Sequence, residues 1–253
     1  SAVAAVPAQS GNFAYISSGT WSLMGLEVRE PVISKESLAF NFTNEGGVCG
    51  TFRLLKNIMG LWLVQQCRRT WAQEGQELSY DEIDNMAAQS PAFGPIIEPD
   101  AHDFLQPGDM PSRIQAFCVR TGQRRPETKG EIARCAMESL ALKYRWVIEK
   151  LEILSGKSLD TIHIVGGGSR DRFLCQLAAD ATQRMVVAGP TEATAMGNVL
   201  MQAIARGRLA SLAEGRDVVR NSSELKTYEP RVDAAWDEAY GRFLEIKAQV
   251  PEV

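Results

Sequence analysis

Three consecutive glycines, Gly166-Gly167-Gly168, are the residues whose type and spacing say most about the chemistry of this chain. They follow the apolar-leaning run Thr161-Ile-His-Ile-Val165 and precede Ser-Arg-Asp171, after which a helical pattern begins at about Arg172. A buried strand that passes through a turn without side chains into a helix N-terminus lets a ligand lie against bare backbone and offers N–H groups to an anion. Nucleotide phosphate or ribose is the fitting guest, although a purely structural tight turn accounts for the glycines about as well. The dinucleotide fingerprint G-x-G-x-x-G would need glycine where Asp171 stands, and G-x-x-x-x-G-K-[ST] occurs nowhere. A dehydrogenase is therefore disfavoured, and a nucleotide bound here sits in some other fold.

A second candidate is Ser18-Gly19-Thr20, turn chemistry between the β-rich runs Phe13–Ser17 and Trp21–Val28. A backbone N–H together with the Thr20 hydroxyl can hold phosphate oxygens, and phosphoryl transfer depends mostly on such positioning and charge stabilisation. A plain hairpin turn is the alternative. Leu54, Leu55, Ile58, Leu61, Trp62 and Gln65 recur at helical spacing, so residues 52–74 read as one amphipathic helix interrupted at Gly60. On such a helix Asn57 and Gln65, eight residues apart, share a face. His163, inside an apolar strand, reads as a hydrogen-bonded core residue, and His102 as solvated. Arg68-Arg69 and Arg124-Arg125 read as solvated faces; Trp62, Trp71, Trp146 and Trp236 read as packing.

With no C-x-x-C and only two histidines, a zinc site is not indicated. Five scattered cysteines point to reduced thiols and a cytoplasmic protein. Cys118 and Cys135 could pair across a strand and the following helix, but buried free thiols are the commoner outcome. A net charge of −4 without a basic block gives no reason to expect nucleic acid. No apolar run approaches the roughly 18–20 residues that span a bilayer, so no membrane partner is expected.

The elements that must carry these residues can be placed by capping and periodicity. Ser79-Tyr-Asp-Glu82 and Thr128-Lys-Gly-Glu131 have the capping-box form and open helices over 80–89 and 128–155, the second ending near Gly156. Residues 90–111, with five prolines, read as an ordered irregular loop. Short strands are expected at 40–44, 162–165 and 185–188, and helices at 172–183, 191–206 and 229–250. Strand alternating with helix implies a sheet with helices on its faces. Asp171 can N-cap the helix that follows it, and Glu192 suits the first turn of the next.

Five segments stand in order: Tyr15-Ile-Ser-Ser-Gly-Thr-Trp-Ser-Leu-Met-Gly25, Asn44-Glu-Gly-Gly47, Leu55-Lys-Asn-Ile-Met-Gly-Leu-Trp62, Ile162-His-Ile-Val-Gly-Gly-Gly-Ser-Arg170 and Ala188-Gly-Pro-Thr-Glu-Ala-Thr-Ala-Met-Gly-Asn198. Together they resemble the C-terminal half of the FGGY carbohydrate kinases, most closely the branch that acts on L-rhamnulose. The resemblance implies an α/β domain of the actin-like ATPase, ribonuclease-H-like type across residues 1–253, with a mixed five-stranded sheet flanked by helices. It implies phosphoryl transfer from ATP with Mg2+ to the 1-hydroxyl of a ketose, L-rhamnulose, in the full enzyme. By resemblance Thr20, with Gly19, contacts phosphate; Gly167, with Gly166, contacts ATP; Gln65 reaches the nucleotide and Asn57 the sugar. The family often has Asn where Asp171 stands, which puts an amide contact to the nucleotide in question. The family's catalytic aspartate lies in a His-Asp-Thr motif just upstream of the segment matching Ser1-Ala-Val. This chain is accordingly expected to lack the N-terminal sugar-binding domain, to bind ATP or ADP weakly, and to be inactive alone. An unpartnered cleft face makes self-association conceivable. A non-catalytic nucleotide-binding module, or the product of a split gene that pairs with a separate N-terminal half, is the rival reading.

Overall fold

A computed structural model describes residues 1–9 and 11–251. Its centre is one seven-stranded mixed sheet in the order β3-β4-β2-β1-β5-β6-β7. The strands are β1 (Phe13–Ser18), β2 (Ser22–Val28), β3 (Thr43–Gly46), β4 (Phe52–Ile58), β5 (Thr161–Val165), β6 (Met185–Ala188) and β7 (Lys226–Tyr228). β1, β5 and β6 run parallel, and every other pairing is antiparallel. The five expected strands are present as β1, β2, β3, β5 and β6, with the one expected at 40–44 displaced to Thr43–Gly46. β4 and β7, which were not expected, bring the sheet to seven. The three-residue β7 is too short to show a periodicity, and it exists because Lys226–Tyr228 pairs with Val186–Ala188.

The largest departure from expectation concerns residues 52–74. Phe52–Ile58 is a strand, and the helix α2 begins only at Trp62 and runs to Gln73. Leu54 and Ile58 fit an i, i+4 helical spacing, but they fit a two-residue period equally well. Seven consecutive pairs with β2, from Ser22↔Ile58 to Val28↔Phe52, decide between them. Asn57 therefore lies on a strand and Gln65 on a helix, so they do not share a helical face.

The remaining helices are α1 (Lys35–Ala39), α3 (Tyr80–Gln89), α4 (Met110–Arg120), α5 (Lys129–Ser155), α6 (Arg172–Thr182), α7 (Ala193–Ala205), α8 (Leu212–Ser222) and α9 (Ala235–Gln249). Both capping boxes form: the Thr128 hydroxyl accepts from Glu131 N at 3.1 Å and the Ser79 hydroxyl from Glu82 N at 3.2 Å. Gly156 closes α5 in the left-handed conformation, with φ 67°. Helices α1, α4 and α8 were not expected from the sequence.

Alternation along the central strands divides the interior into two cores. Ala14, Ile16, Ile162 and Ile164 face a large one built with α2, α3, α4, α5, α6 and α9. Phe13, Tyr15 and Val165 face a smaller one, closed by α7, α8 and the 3-10 turn Ala2–Ala5. α5, with 17 buried residues, is the spine of the large core.

Residues 90–109 are irregular, as expected, apart from a 3-10 turn at His102–Phe104, yet largely buried from Pro95 to Ala101. A buried loop is tolerable only if its polar backbone finds partners. Here α5 supplies them: Glu138 accepts from Phe93 N at 2.9 Å and the Ser139 hydroxyl from Ile97 N at 2.9 Å. Lys143, fully buried, pairs with Glu98 at 2.8 Å and with Asp100 at 2.9 Å.

Cys118 lies on a helix, not the expected strand. Its thiol meets that of Cys135 between α4 and α5, and all five cysteines are free. Trp71, Trp146 and Trp236 are core residues, whereas Trp62 is half-buried and donates its indole N–H to Phe104 O at 2.9 Å. Arg69, Arg124 and Arg125 are exposed, but Arg68 is half-buried over the Tyr80 ring. His102 is exposed. No helix among the described residues is long and apolar enough to cross a membrane.

His163 is buried edge-on against Phe13, but its Nδ1 has no hydrogen-bond partner, contrary to expectation. Burial, and then the nearby Arg216 charge, lower its pKa from 6.5 to about 4. The depressed folded value means that His163 favours folding above its unfolded pKa and that this contribution is lost as pH falls from 6.5 to 4. A fall of that size is worth about 3 kcal/mol. Denaturant unfolding at pH 7 and pH 4 should show His163→Gln losing that much less stability than the parent chain. Equal losses would show that another group titrates.

Candidate functional site

The C-terminal ends of the adjacent parallel strands β1 and β5 lie side by side, with Ser17 opposite Val165. The chain leaves β1 toward β2 on one side and leaves β5 toward α6 and β6 on the other. Connections that depart in opposite directions open a crevice at the strand ends, where open α/β sheets bind ligands.

The three glycines divide their roles at this crevice. Gly166, with φ +88°, lies so close to the end of β1 that a Cβ there would stand 2.7 Å from Ser18 O. A Cβ on Gly168 would stand 2.1 Å from the Ser18 hydroxyl. Both are glycine because the turn that follows β5 passes directly against Ser18 at the end of β1. Gly167 has no such cause: nothing lies within 4 Å of its missing Cβ, and it is exposed. It faces a cleft of about 480 Å3 whose lining includes Gly19, Gln65, Tyr80, Asp84, Gly168 and Asp171. Gly166 supports this wall without lining the cleft.

A larger depression of about 900 Å3 shares Asp81, Asp84 and Arg170 with this cleft and continues past Pro190, Thr191 and Lys226. The two adjoin to form a trough across the strand ends.

The Gly19–Thr20 turn closes one end of the trough. Gly19 N donates to Trp21 O at 2.8 Å, so that particular N–H is already engaged. Gly19 O and Thr20 O accept from Leu61 N and Trp62 N, which anchors the start of α2 to the turn. The Thr20 hydroxyl donates to Gln65 Oε1 at 3.1 Å. Thr20 and Gln65, 45 residues apart in sequence, are thus brought together, whereas Asn57 lies in a separate pocket with Trp21.

Asp171 N-caps α6, accepting from Leu174 N at 2.7 Å. It also hydrogen-bonds to Asp84 of α3. Burial, and then the carboxyl of Asp171, raise Asp84 to about 7, while burial raises Asp171 to about 6. Two carboxyls in contact retain a proton between them near neutrality. That proton gives back to Asp171 and Asp84 the donor that a pair of ionised aspartates would lack. Tyr80, Asp81 and Asp84 were not anticipated as cleft residues. The capping box at Ser79 marks where their helix begins, but not that its first turns face Gly167.

Among the described residues no three His, Cys, Asp or Glu side chains come together to hold a metal ion. What the site offers is exposed backbone at Gly167, a hydroxyl–amide pair at one end, and acidic groups along one wall. With the sheet order and the switch-point crevice, these features define an α/β domain of the actin-like type. Residues 14–206 match the C-terminal domain of the FGGY family of carbohydrate kinases. The chain is 51% identical to a rhamnulokinase of Bacteroides thetaiotaomicron over 96% of its own length and 49% of that protein, and 42% identical to a rhamnulokinase of Enterococcus faecalis over 97% and 50%. Its fold matches that of a ligand-bound xylulose kinase from Lactobacillus acidophilus, with a TM-score of 0.73 at 17% identity, over 98% of this chain and 49% of that one. A Plasmodium falciparum glycerol kinase with ADP gives a TM-score of 0.66 at 12% identity, over 98% and 48%. The chain belongs to the FGGY family of carbohydrate kinases. It spans about half the length of the curated relatives it matches.

Proposed function

We propose that this chain is the nucleotide-binding part of a rhamnulokinase-like sugar kinase, and that the whole enzyme transfers the γ-phosphoryl group of ATP to the 1-hydroxyl of L-rhamnulose. The observation that carries the nucleotide reading is Gly167: an exposed glycine, unconstrained by any internal neighbour, facing a cleft at the β1/β5 switch point. Adenosine lies along the main chain of Gly167 and Gly168, with ribose hydroxyls against the Asp84–Asp171 pair. The phosphates run toward Gly19 and Thr20. There the Thr20 hydroxyl exchanges Gln65 Oε1 for a phosphate oxygen, and Gln65 remains as a second contact. Gly166 serves by letting this wall form. Asn57 faces the sugar. Mg2+ would arrive with the nucleotide and neutralise phosphate charge; the described residues do not by themselves build a cage for it, and the resemblance places the metal-holding acids and the general base in the other half.

Thermal unfolding with and without millimolar Mg-ADP, with NAD as control, tests this reading. A ligand that binds only the folded chain stabilises it according to its concentration and affinity, by about 2.7 kcal/mol at a hundredfold excess over Kd. A rise with Mg-ADP and none with NAD is expected. A rise with NAD alone would replace the kinase reading with a dinucleotide one.

A further inference from the structure

The Gly19–Thr20 turn rests on a side chain that lines neither cavity of the trough. Ser18 and Ser22 form the last pair of the β1–β2 ladder, one on each side of the turn. Both are buried, at 3% and 0% exposure, so their hydroxyls need partners inside the protein. Tyr144, near the middle of α5 and without solvent exposure, supplies one: its hydroxyl lies 2.7 Å from Ser22 Oγ. Burial raises the phenol above its ordinary pKa, and the hydroxyls of Ser22 and then Ser18 oppose that rise. The Ser18 hydroxyl is thus a neighbour of the phenol as well, although its contact lacks the geometry of a full hydrogen bond.

The same two hydroxyls are where other connections touch. A Cβ on Gly60, which precedes α2, would stand 2.5 Å from Ser22 Oγ, and one on Gly168 would stand 2.1 Å from Ser18 Oγ. The start of α2 is in turn bonded to the carbonyls of Gly19 and Thr20. Three segments at the Gly19 end of the trough therefore meet around one buried phenol: the Gly19–Thr20 turn, the approach to α2 with its Gln65, and the glycine turn. The wall at Gly167 has supports of its own. Gly166 N donates to Pro190 O at 3.0 Å, and the Ser169 hydroxyl donates to Gly166 O at 2.7 Å.

Packing alone does not require the Tyr144 hydroxyl. Phenylalanine would fill the same volume, and a buried hydroxyl destabilises a fold unless its hydrogen bonds offset the lost hydration. What the oxygen adds is direction: a bond from the α5 spine fixes the base of the turn. Groups that bind a ligand must be held within about 0.5 Å of their working geometry by supporting bonds of this kind.

We propose that Tyr144 is a positioning residue for the phosphate end of the nucleotide. Its hydroxyl, acting through Ser22 and Ser18, sets the Gly19–Thr20 turn against the glycine wall, and it touches no ligand itself. This inference rests on the nucleotide reading of the trough.

NMR titrations of the isotope-labelled chain with Mg-ADP and with adenosine test it. In the parent chain Mg-ADP is expected to move the Gly19 and Gly167 amides, and adenosine Gly167 alone. Tyr144→Phe should weaken Mg-ADP by about tenfold, the worth of about one hydrogen bond, while adenosine stays within about twofold. Ser22→Ala removes the same bond from the other side and should give the same selective loss. The double variant should lose no more than either single one, because the two residues act through one contact. It leaves neither partner stranded, so it keeps the test valid if Tyr144→Phe fails to fold. Variants that bind Mg-ADP as tightly as the parent, or that weaken Mg-ADP and adenosine alike, would overturn the positioning role and leave the nucleotide reading standing. So would Mg-ADP moving Gly167 but not Gly19 in the parent chain. A parent chain in which neither ligand moves Gly167 would overturn both.

Discussion

Lys143→Met should destabilise the fold by about 3–5 kcal/mol, the cost of removing one partner from a buried ion pair. The Lys143 ammonium has no solvent exposure and joins Glu98, also fully buried, to Asp100. Methionine fills much the same volume, so the loss reports the missing charge rather than a cavity. The effect extends beyond the pair because Glu98 and Asp100 belong to the buried Pro-rich loop, and Asp100 ties that loop to Met59 at the end of β4. Combining Lys143→Met with Glu98→Gln and Asp100→Asn should recover a large part of the loss, since replacing a buried ionic cluster as a whole is far cheaper than leaving half of it. Urea unfolding measures both chains. A single-variant loss below about 1 kcal/mol, the range of an exposed pair, would show that solvent reaches the cluster.

Gly167→Val should have the opposite profile, with an intact fold and a cleft that no longer accepts nucleotide. Nothing lies within 4 Å of the Gly167 Cβ position, and its φ is not in the left-handed region, so the substitution should change stability by no more than about 1 kcal/mol. Its isopropyl group would occupy the space proposed for adenosine against the main chain. A loss of Mg-ADP affinity of about a hundredfold, or about 2.8 kcal/mol, is expected from titration calorimetry. Gly168→Ala is the internal control. Its Cβ would stand 2.1 Å from the Ser18 hydroxyl, so it should lower the unfolding midpoint even in the absence of nucleotide. Should Gly167→Val unfold the chain while Gly168→Ala leaves it stable, the division of labour among the three glycines would be wrong.

Local signals carried much of this fold. The capping boxes at Ser79 and Thr128, the left-handed Gly156 and the strand–glycine–helix passage from Thr161 to Thr182 are decided by neighbours within about four residues, and they stand where the sequence places them. The segment 52–58 was not legible in that way. Leu54 and Ile58 satisfy both periods, and only pairing with β2, some thirty residues earlier, selects the strand. Edge strand β7 was hidden for the same reason: three residues carry no period, and β6 supplies the partner.

The candidate site divides along the same line. The sequence by itself determined the residue types available for binding, the three glycines, the Gly19–Thr20 turn and Asp171 as a helix cap, because each depends on backbone conformation within a single turn. Tertiary structure alone decided which of them meet. It paired Thr20 with Gln65, gave Gly167 rather than Gly166 or Gly168 the open face, and sent Asn57 to a pocket with Trp21 and Asp100. It also set Asp84 against Asp171, where burial keeps a proton between them. Distances between segments far apart in the chain are set by how the sheet orders its strands and how α5 fills the core, and no local pattern of residues encodes them.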